Sequence, residues 1–273
     1  MTSSAAGAAS RMSYPISGSK LSPVVQAIVA LRTTGVALVL TLFFVIGAPI
    51  QWLILQLDTR ASNFLPWLFY RLLLWQVNLR VVVHGSKPDE IPQLIVANHV
   101  SWTDIPALGG AYPISFLAKR EIARWPVVGT FARLQKTIFV DRGKRRSVLD
   151  ANAVIAARLR SGACIAIFPE GTTYDGTRLG PFRSAHFGVA QDLLARRSES
   201  LRVHPVAIRY SSPRAAWCGD MLLLPHVIGL LRGAPVTCDL IFCAPLEFKA
   251  NADRKIVAEE CRRRIAAALA APA

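Results

Sequence analysis

The feature that most limits what this chain can fold into is a run without a charged residue over residues 33–57. As a straight helix such a run reaches about 37 Å, against a bilayer hydrocarbon core of roughly 30 Å. It is long enough to cross a membrane with tilt, whereas a core helix of a soluble protein seldom runs so far without charge. Pro49 lies inside it, a place where proline can kink a helix, so a re-entrant or interfacial hairpin stands beside a transmembrane span as the two readings of the run. A secretory signal fits less well, because the preceding region is long and no small-residue cleavage site with a clean mature start follows. A second apolar stretch occupies residues 64–83, broken by Arg71 and Arg80 and holding Trp67, Phe69, Tyr70 and Trp75. Aromatics beside arginines suit a helix at headgroup depth, with a core helix as the plainer alternative.

The formal net charge of +15 favours an anionic partner: nucleic acid, an acidic membrane surface or a phosphorylated substrate. The apolar run selects the membrane. The basic clusters at 142–146 and 262–264 also lack the interleaved aromatics of a nucleic-acid surface, so no nucleic-acid partner is expected. Most of the basic charge follows the first run. A single crossing therefore leaves the body of the chain on the cytoplasmic side of an inner membrane. The five cysteines form no C-x-x-C pair and read as free thiols in a reducing compartment. No metal-ligand spacing, P-loop or G-x-S-x-G is present, so neither a metal site nor a serine hydrolase is expected.

Residues 1–20 read as a flexible tail, 21–83 as a membrane-associated helical region and 84–273 as one domain. In that domain short apolar runs alternate with helical patterns. Strands are expected at 94–97, 114–118, 137–140, 164–168, 203–208 and 236–242. Helices are expected at 103–109, 127–134, 146–160, 185–195 and 252–268. The alternation predicts an α/β fold, a mixed sheet flanked by helices, with the membrane-attached helical segment in front of it. Reactive groups in such folds gather on loops beyond strand ends.

Four of those loops carry unusual polar residues. The first reads Asn98-His99-Val100-Ser101-Trp102-Thr103-Asp104. A histidine just beyond a strand can act as general base, and an aspartate in the next helical turn can take its other ring nitrogen. That is the base and orienter of a triad without the protein nucleophile, so the substrate must bring the hydroxyl. The second loop of interest reads Phe168-Pro169-Glu170-Gly171-Thr172-Thr173, a tight turn that holds Glu170 rigidly. Either loop alone matches an ordinary loop histidine or an ordinary turn.

Together they are specific. N-H-x-S-W-x-D followed by F-P-E-G-T resembles the glycerolipid acyltransferase family, which includes the 1-acylglycerol-3-phosphate acyltransferases. Ile138-Phe139-Val140-Asp141-Arg142 resembles the family's second block, Val203-His204-Pro205-Val206-Ala207-Ile208 its fourth, and Phe116-Leu117-Ala118-Lys119-Arg120-Glu121 its lysine segment. The resemblance covers roughly residues 80–210 and makes 84–273 the acyltransferase catalytic domain. It implies that His99 deprotonates the acceptor hydroxyl and that Asp104 orients His99. The acceptor then attacks the thioester of acyl-CoA or acyl-carrier protein directly, and no other cofactor is implied. It also implies that Lys119 and Arg142 contact an anionic head, while Glu170, Gly171 and Thr172 line or shape the acceptor site.

The family often has an arginine after F-P-E-G-T, where this chain has Thr173. That weakens the case for a phosphomonoester, which normally takes a bidentate cation, unless Arg178 or Arg183 replaces it. The implied acceptor is 1-acylglycerol-3-phosphate, giving phosphatidic acid. The alternative is lyso-ornithine lipid, giving ornithine lipid. A reading of another class is a membrane lipid-binding protein without turnover.

Overall fold

The runs of Val, Ile, Leu and Ala between the loops become the strands of one sheet. In the computed structural model, residues 22–57, 60–86, 93–141, 143–188, 201–249 and 252–272 are described. The strands are β1 Leu79–His84, β2 Gln93–Ala97, β3 Ser115–Lys119, β4 Ile138–Val140, β5 Cys164–Ile167, β6 Leu201–Tyr210, β7 Val236–Phe242 and β8 Leu246–Phe248. Their order is β1-β7-β6-β2-β5-β3-β4, with β8 beside β6. β6 pairs antiparallel with β7 and β8, and every other pairing is parallel. The sheet is therefore mixed, as expected.

Helices cover both faces. They are α1 Pro23–Leu42, α2 Ala48–Gln56, α3 Phe64–Gln76, α4 Asp104–Ala111, α5 Val128–Leu134, α6 Arg145–Arg160, α7 Leu223–Arg232 and α8 Arg254–Ala270. Alternate residues of β2 go to opposite faces. Ile95 and Ala97 join a cluster with Phe69, Tyr70 and Leu74 of α3 and Leu108 of α4. Leu94 and Val96 join another with Ile155 and Leu159 of α6 and Cys261 of α8. Every residue of β2 and β5 is buried, which explains why these strands read as continuous apolar runs rather than as alternation.

The membrane-associated region differs from the expectation in two places. The first run does not break at Pro49. One helix runs from Pro23 to Gln56, with a π-turn over Phe43–Gly47 in which Ala48 N–H bonds the Phe43 carbonyl. A wider turn just ahead of Pro49 lets the helix continue through a residue that cannot donate. The chain reverses after it, and α3 packs back on α1. The second stretch is not helical to Val83. It leaves the helix after Gln76, where Asn78 takes a left-handed φ of 59°, and residues 79–84 become β1 in register with β7. The Val81–Val83 run is β-branched and suits a strand. The helical region thus stops short of residue 83.

Within the domain, α7 and β8 had no sequence expectation. Of the helix expected at 185–195, residues 184–187 form a 3-10 turn, and those beyond 188 lie outside the described residues. What matters for function is direction. β6, β2, β5, β3 and β4 run parallel side by side, so the loops after Tyr210, Ala97, Ile167, Lys119 and Val140 leave from one edge.

Candidate active site

At the end of β2 the sheet ladder is carried one residue further by a side chain. The Asn98 amide donates to the Ile208 carbonyl at 3.0 Å and accepts from Ile208 N–H at 2.7 Å. This pins the start of the His99 loop to β6. The loop then closes on Asp104, the first residue of α4, whose side chain is fully buried. Asp104 Oδ2 accepts from His99 Nδ1 at 2.7 Å and from the backbone N–H groups of Val100 at 2.7 Å and Ser101 at 3.0 Å. Its Oδ1 accepts from the Tyr210 hydroxyl at 2.6 Å. With Nδ1 committed to the carboxylate, Nε2 is the nitrogen free to work, and the His99 side chain is 20% exposed. The imidazole stacks on Phe168, with ring centroids 4.2 Å apart. The dyad expected from spacing is therefore assembled, with its acid sealed and its base accessible.

Glu170 is buried beneath this pair. Its Oε2 accepts from His99 N–H at 2.6 Å and its Oε1 from Gly180 N–H at 2.7 Å. His99 is held on its carbonyl side as well, by Tyr174 N–H at 2.9 Å. Glu170 thus shapes the site by fastening the two loops to each other. Burial pushes its carboxyl above the usual range, opposed by the two backbone N–H bonds and the nearby imidazole. Gly171 takes a φ of 78° where Phe168-Pro169-Glu170-Gly171 closes its turn, a conformation that explains the glycine. Thr172 is exposed on the same loop.

Lys119 is exposed at the end of β3, the strand beside β5, and so shares the edge. Arg142 lies outside the described residues, although its neighbour Asp141 follows β4 on that edge. Arg178 and Arg183 are exposed beyond the Glu170 turn.

Sequence reasoning missed three partners. Tyr210 and Gly180 reach the site from distant segments. His226 on α7 accepts from the Trp102 indole N–H at 3.0 Å. Burial keeps His226 below its usual range, so its ring is a neutral acceptor that holds Trp102 beside the His99 loop. Nothing in local spacing marks these residues: Tyr210 and His226 lie 106 and 124 positions from their mates, and Gly180 returns to Glu170 across a loop of ten residues with no motif of its own.

The comparisons bear on this geometry directly. A family model described as Acyltransferase matches residues 80–209, the span that holds both loops. The lyso-ornithine lipid O-acyltransferase of Brucella abortus is 37% identical over 233 residues, covering 81% of this chain and 87% of that one. The chain belongs to the acyltransferase family. The 1-acyl-sn-glycerol-3-phosphate acyltransferase of Neisseria gonorrhoeae is 41% identical over 128 residues, covering 46% of this chain and 48% of that one. In architecture the chain matches the crystal structure of the 1-acyl-sn-glycerophosphate acyltransferase PlsC of Thermotoga maritima. The TM-score is 0.64 at 21% identity, over 91% of this chain and 99% of that one, a likeness of fold. The protein is thus an acyltransferase enzyme on the fold that the strand–helix alternation implied.

Proposed function

We propose that this enzyme transfers a fatty acyl group from a thioester to the free hydroxyl of a lyso-lipid. The observation that carries the reading is the His99–Asp104 pair: base partly exposed, acid buried, and Nε2 without a partner among the described residues. His99 Nε2 takes the acceptor's hydroxyl proton as the oxygen bonds to the thioester carbonyl carbon. The C–S bond then breaks, and the imidazolium returns the proton to the departing thiolate. Asp104 keeps Nδ1 protonated and stabilises the imidazolium. No acyl-enzyme is needed, and the co-substrate is acyl-CoA or acyl-carrier protein. In this reading Lys119, exposed at the end of β3, and Arg142, which lies outside the described residues, contact anionic groups of donor or acceptor, and Gly171 and Thr172 line the acceptor's approach.

Two acceptors fit this chemistry. Lyso-ornithine lipid is the one we put first, because the relative so named aligns over four fifths of the chain and Thr173 stands where a phosphate-binding arginine is often found. The phosphate acceptor, 1-acylglycerol-3-phosphate, is favoured by the higher identity of the Neisseria relative. Purified enzyme given each acceptor beside an acyl donor separates them by product. His99→Ala should remove turnover by a factor on the order of 10⁴ while leaving the protein folded. Turnover that survives the substitution would mean that His99 is not the base, whereas a wild type that turns over neither acceptor would favour a lipid-binding role without catalysis.

For location, we infer attachment to the face of a cytoplasmic membrane with the catalytic domain on the cytoplasmic side. The long helix and α3 form a pair that packs on the domain along one side and exposes apolar side chains on the other. That division supports an interfacial hairpin over an isolated span.

A further inference from the structure

Asp104 is fully buried, and its two oxygens are served differently. Oδ2 receives three donors from its own loop, His99 Nδ1 and the N–H groups of Val100 and Ser101. Oδ1 receives the Tyr210 hydroxyl at 2.6 Å. Tyr210 ends β6, the parallel neighbour of β2, so sheet register brings a residue 106 positions away onto the catalytic carboxylate. Its phenol proton is spent on Asp104. The contact with Thr103 Oγ1 at 2.8 Å must then run the other way, with the threonine hydroxyl donating. Behind the phenol lies Cys238, the cross-strand partner of Tyr210, with its thiol in hydrogen-bond reach. Burial, then the Asp104 charge, holds the phenol well above its ordinary range, so it stays a donor throughout the working pH.

We propose that Tyr210 is a positioning residue of acyl transfer: by holding Asp104 Oδ1 it stops the carboxylate from rotating and fixes Oδ2 on His99 Nδ1. This rests on the acyl-transfer reading above. Rotation about the Cβ–Cγ bond moves both oxygens together, and the three donors on Oδ2 all lie on one side of the group, so the tyrosine on Oδ1 is the anchor that resists rotation from the other side. The tyrosine closes that motion and draws part of the negative charge toward itself. Without it the carboxylate acts more strongly on the imidazolium but is held less firmly. The titratable groups about His99 among the described residues are Asp104 of α4, Glu170 of the β5 loop, Tyr210 of β6 and, one step behind, Cys238 of β7.

The test is Tyr210→Phe, which removes one oxygen and keeps the ring. kcat should fall roughly tenfold to a hundredfold with little change in the acceptor KM, as expected for a small misplacement of a catalytic group. The acid limb of the kcat/KM profile should move to higher pH, because a stronger carboxylate keeps the imidazolium protonated longer. The downfield Nδ1–H resonance of His99, read by NMR without substrate, should shift or exchange faster. Wild-type kcat with an unmoved acid limb and an unmoved resonance would overturn the proposal, as would a loss confined to melting temperature. Thr103→Val, which removes the outer donor, should move the same three readouts in the same direction by less. It decides the matter if Tyr210→Phe does not fold, and unmoved readouts there overturn the proposal too. Absence of turnover in the wild type with either lyso-lipid counts against acyl transfer itself, and the resonance then still tests the Tyr210 contact.

Discussion

Glu170 is the residue at which two forces in the site oppose each other. Burial favours its neutral form, while the N–H groups of His99 and Gly180 favour the carboxylate, and burial prevails. A carboxylate accepts both N–H bonds, whereas a glutamine can accept one and must turn its own NH₂ toward the other. Glu170→Gln should therefore lose one of the two fastenings, at a cost of about 1–3 kcal/mol for the orphaned N–H, and should lower kcat through a looser His99. The pH dependence has a definite sign. A folded-state value above the unfolded one means the contribution is full below the ordinary carboxylate range and is lost as pH rises through the raised value. Glutamine does not titrate. The stability gap between wild type and variant, taken from urea melts, should be wider in mildly acidic buffer than at neutral pH; a gap that widens with pH contradicts this. His99 and Asp104 were legible because base and orienter lie within one loop. That Glu170 acts on the His99 backbone was not, because its partners are main-chain groups contributed by chain reversal. Tyr210 was hidden for the same reason: an aromatic at the end of a strand looks like any core tyrosine.

Helix packing shows the same divide between local and distant information. The interior strands were readable because burial on both faces leaves uninterrupted apolar runs. β1 was not, since its valines continue the apolar content of α3 and only the left-handed Asn78 marks the boundary. α7 escaped because Pro225 stands in its first turn, a place where proline is tolerated but which reads as a breaker. The joint between the membrane-side helices and the catalytic domain is set by glycine. A Cβ at Gly109 of α4 would land in the Tyr70 ring of α3, whereas one at Gly110 meets the nearest atom, Tyr70 Cβ, at an ordinary 3.6 Å. Gly109→Ala should destabilise by about 1–3 kcal/mol, the cost of overpacking. Gly110→Ala should be neutral or stabilising by up to about 1 kcal/mol, from helix propensity. Thermal melts of the two variants check the order, and the reverse order would mean that α3 does not sit on α4 as described. Because α4 begins with Asp104, the first variant should also lower turnover, and the second should not.

At the scale of the whole molecule the question is how a helix of 34 residues meets a bilayer. Its inner side is not available to lipid. Val39 and Phe43 are in the core cluster with Phe131 of α5, and Gln51 donates to the carbonyls of Ser62 at 2.7 Å and Leu134 at 3.2 Å. Its outer side is apolar and open, with Leu38, Val45, Trp52 and Leu53 exposed, and Trp67 and Trp75 of α3 are exposed as well. A helix tied to the catalytic domain from Val36 to Gln51 cannot also be ringed by lipid there, so it should lie within one leaflet with both ends on the same side. Cysteines placed at Ser22 and Leu57 should then both react with a membrane-impermeant maleimide added outside vesicles; protection of one end would mean that the helix crosses. The net charge of +15 adds attraction to anionic lipid that salt screens, whereas burial of apolar side chains is not screened. Raising salt should weaken binding to anionic vesicles without releasing the protein. Trp52→Asp or Val45→Asp should weaken it at every salt concentration, by roughly tenfold or more for a side chain worth about 1.5–3 kcal/mol. Turnover on an acceptor presented in detergent should persist in both variants, since neither side chain touches the His99 loop. If salt alone strips the protein from vesicles, the apolar face is not inserted and attachment is electrostatic; if the aspartates change nothing at any salt, some other surface holds the membrane.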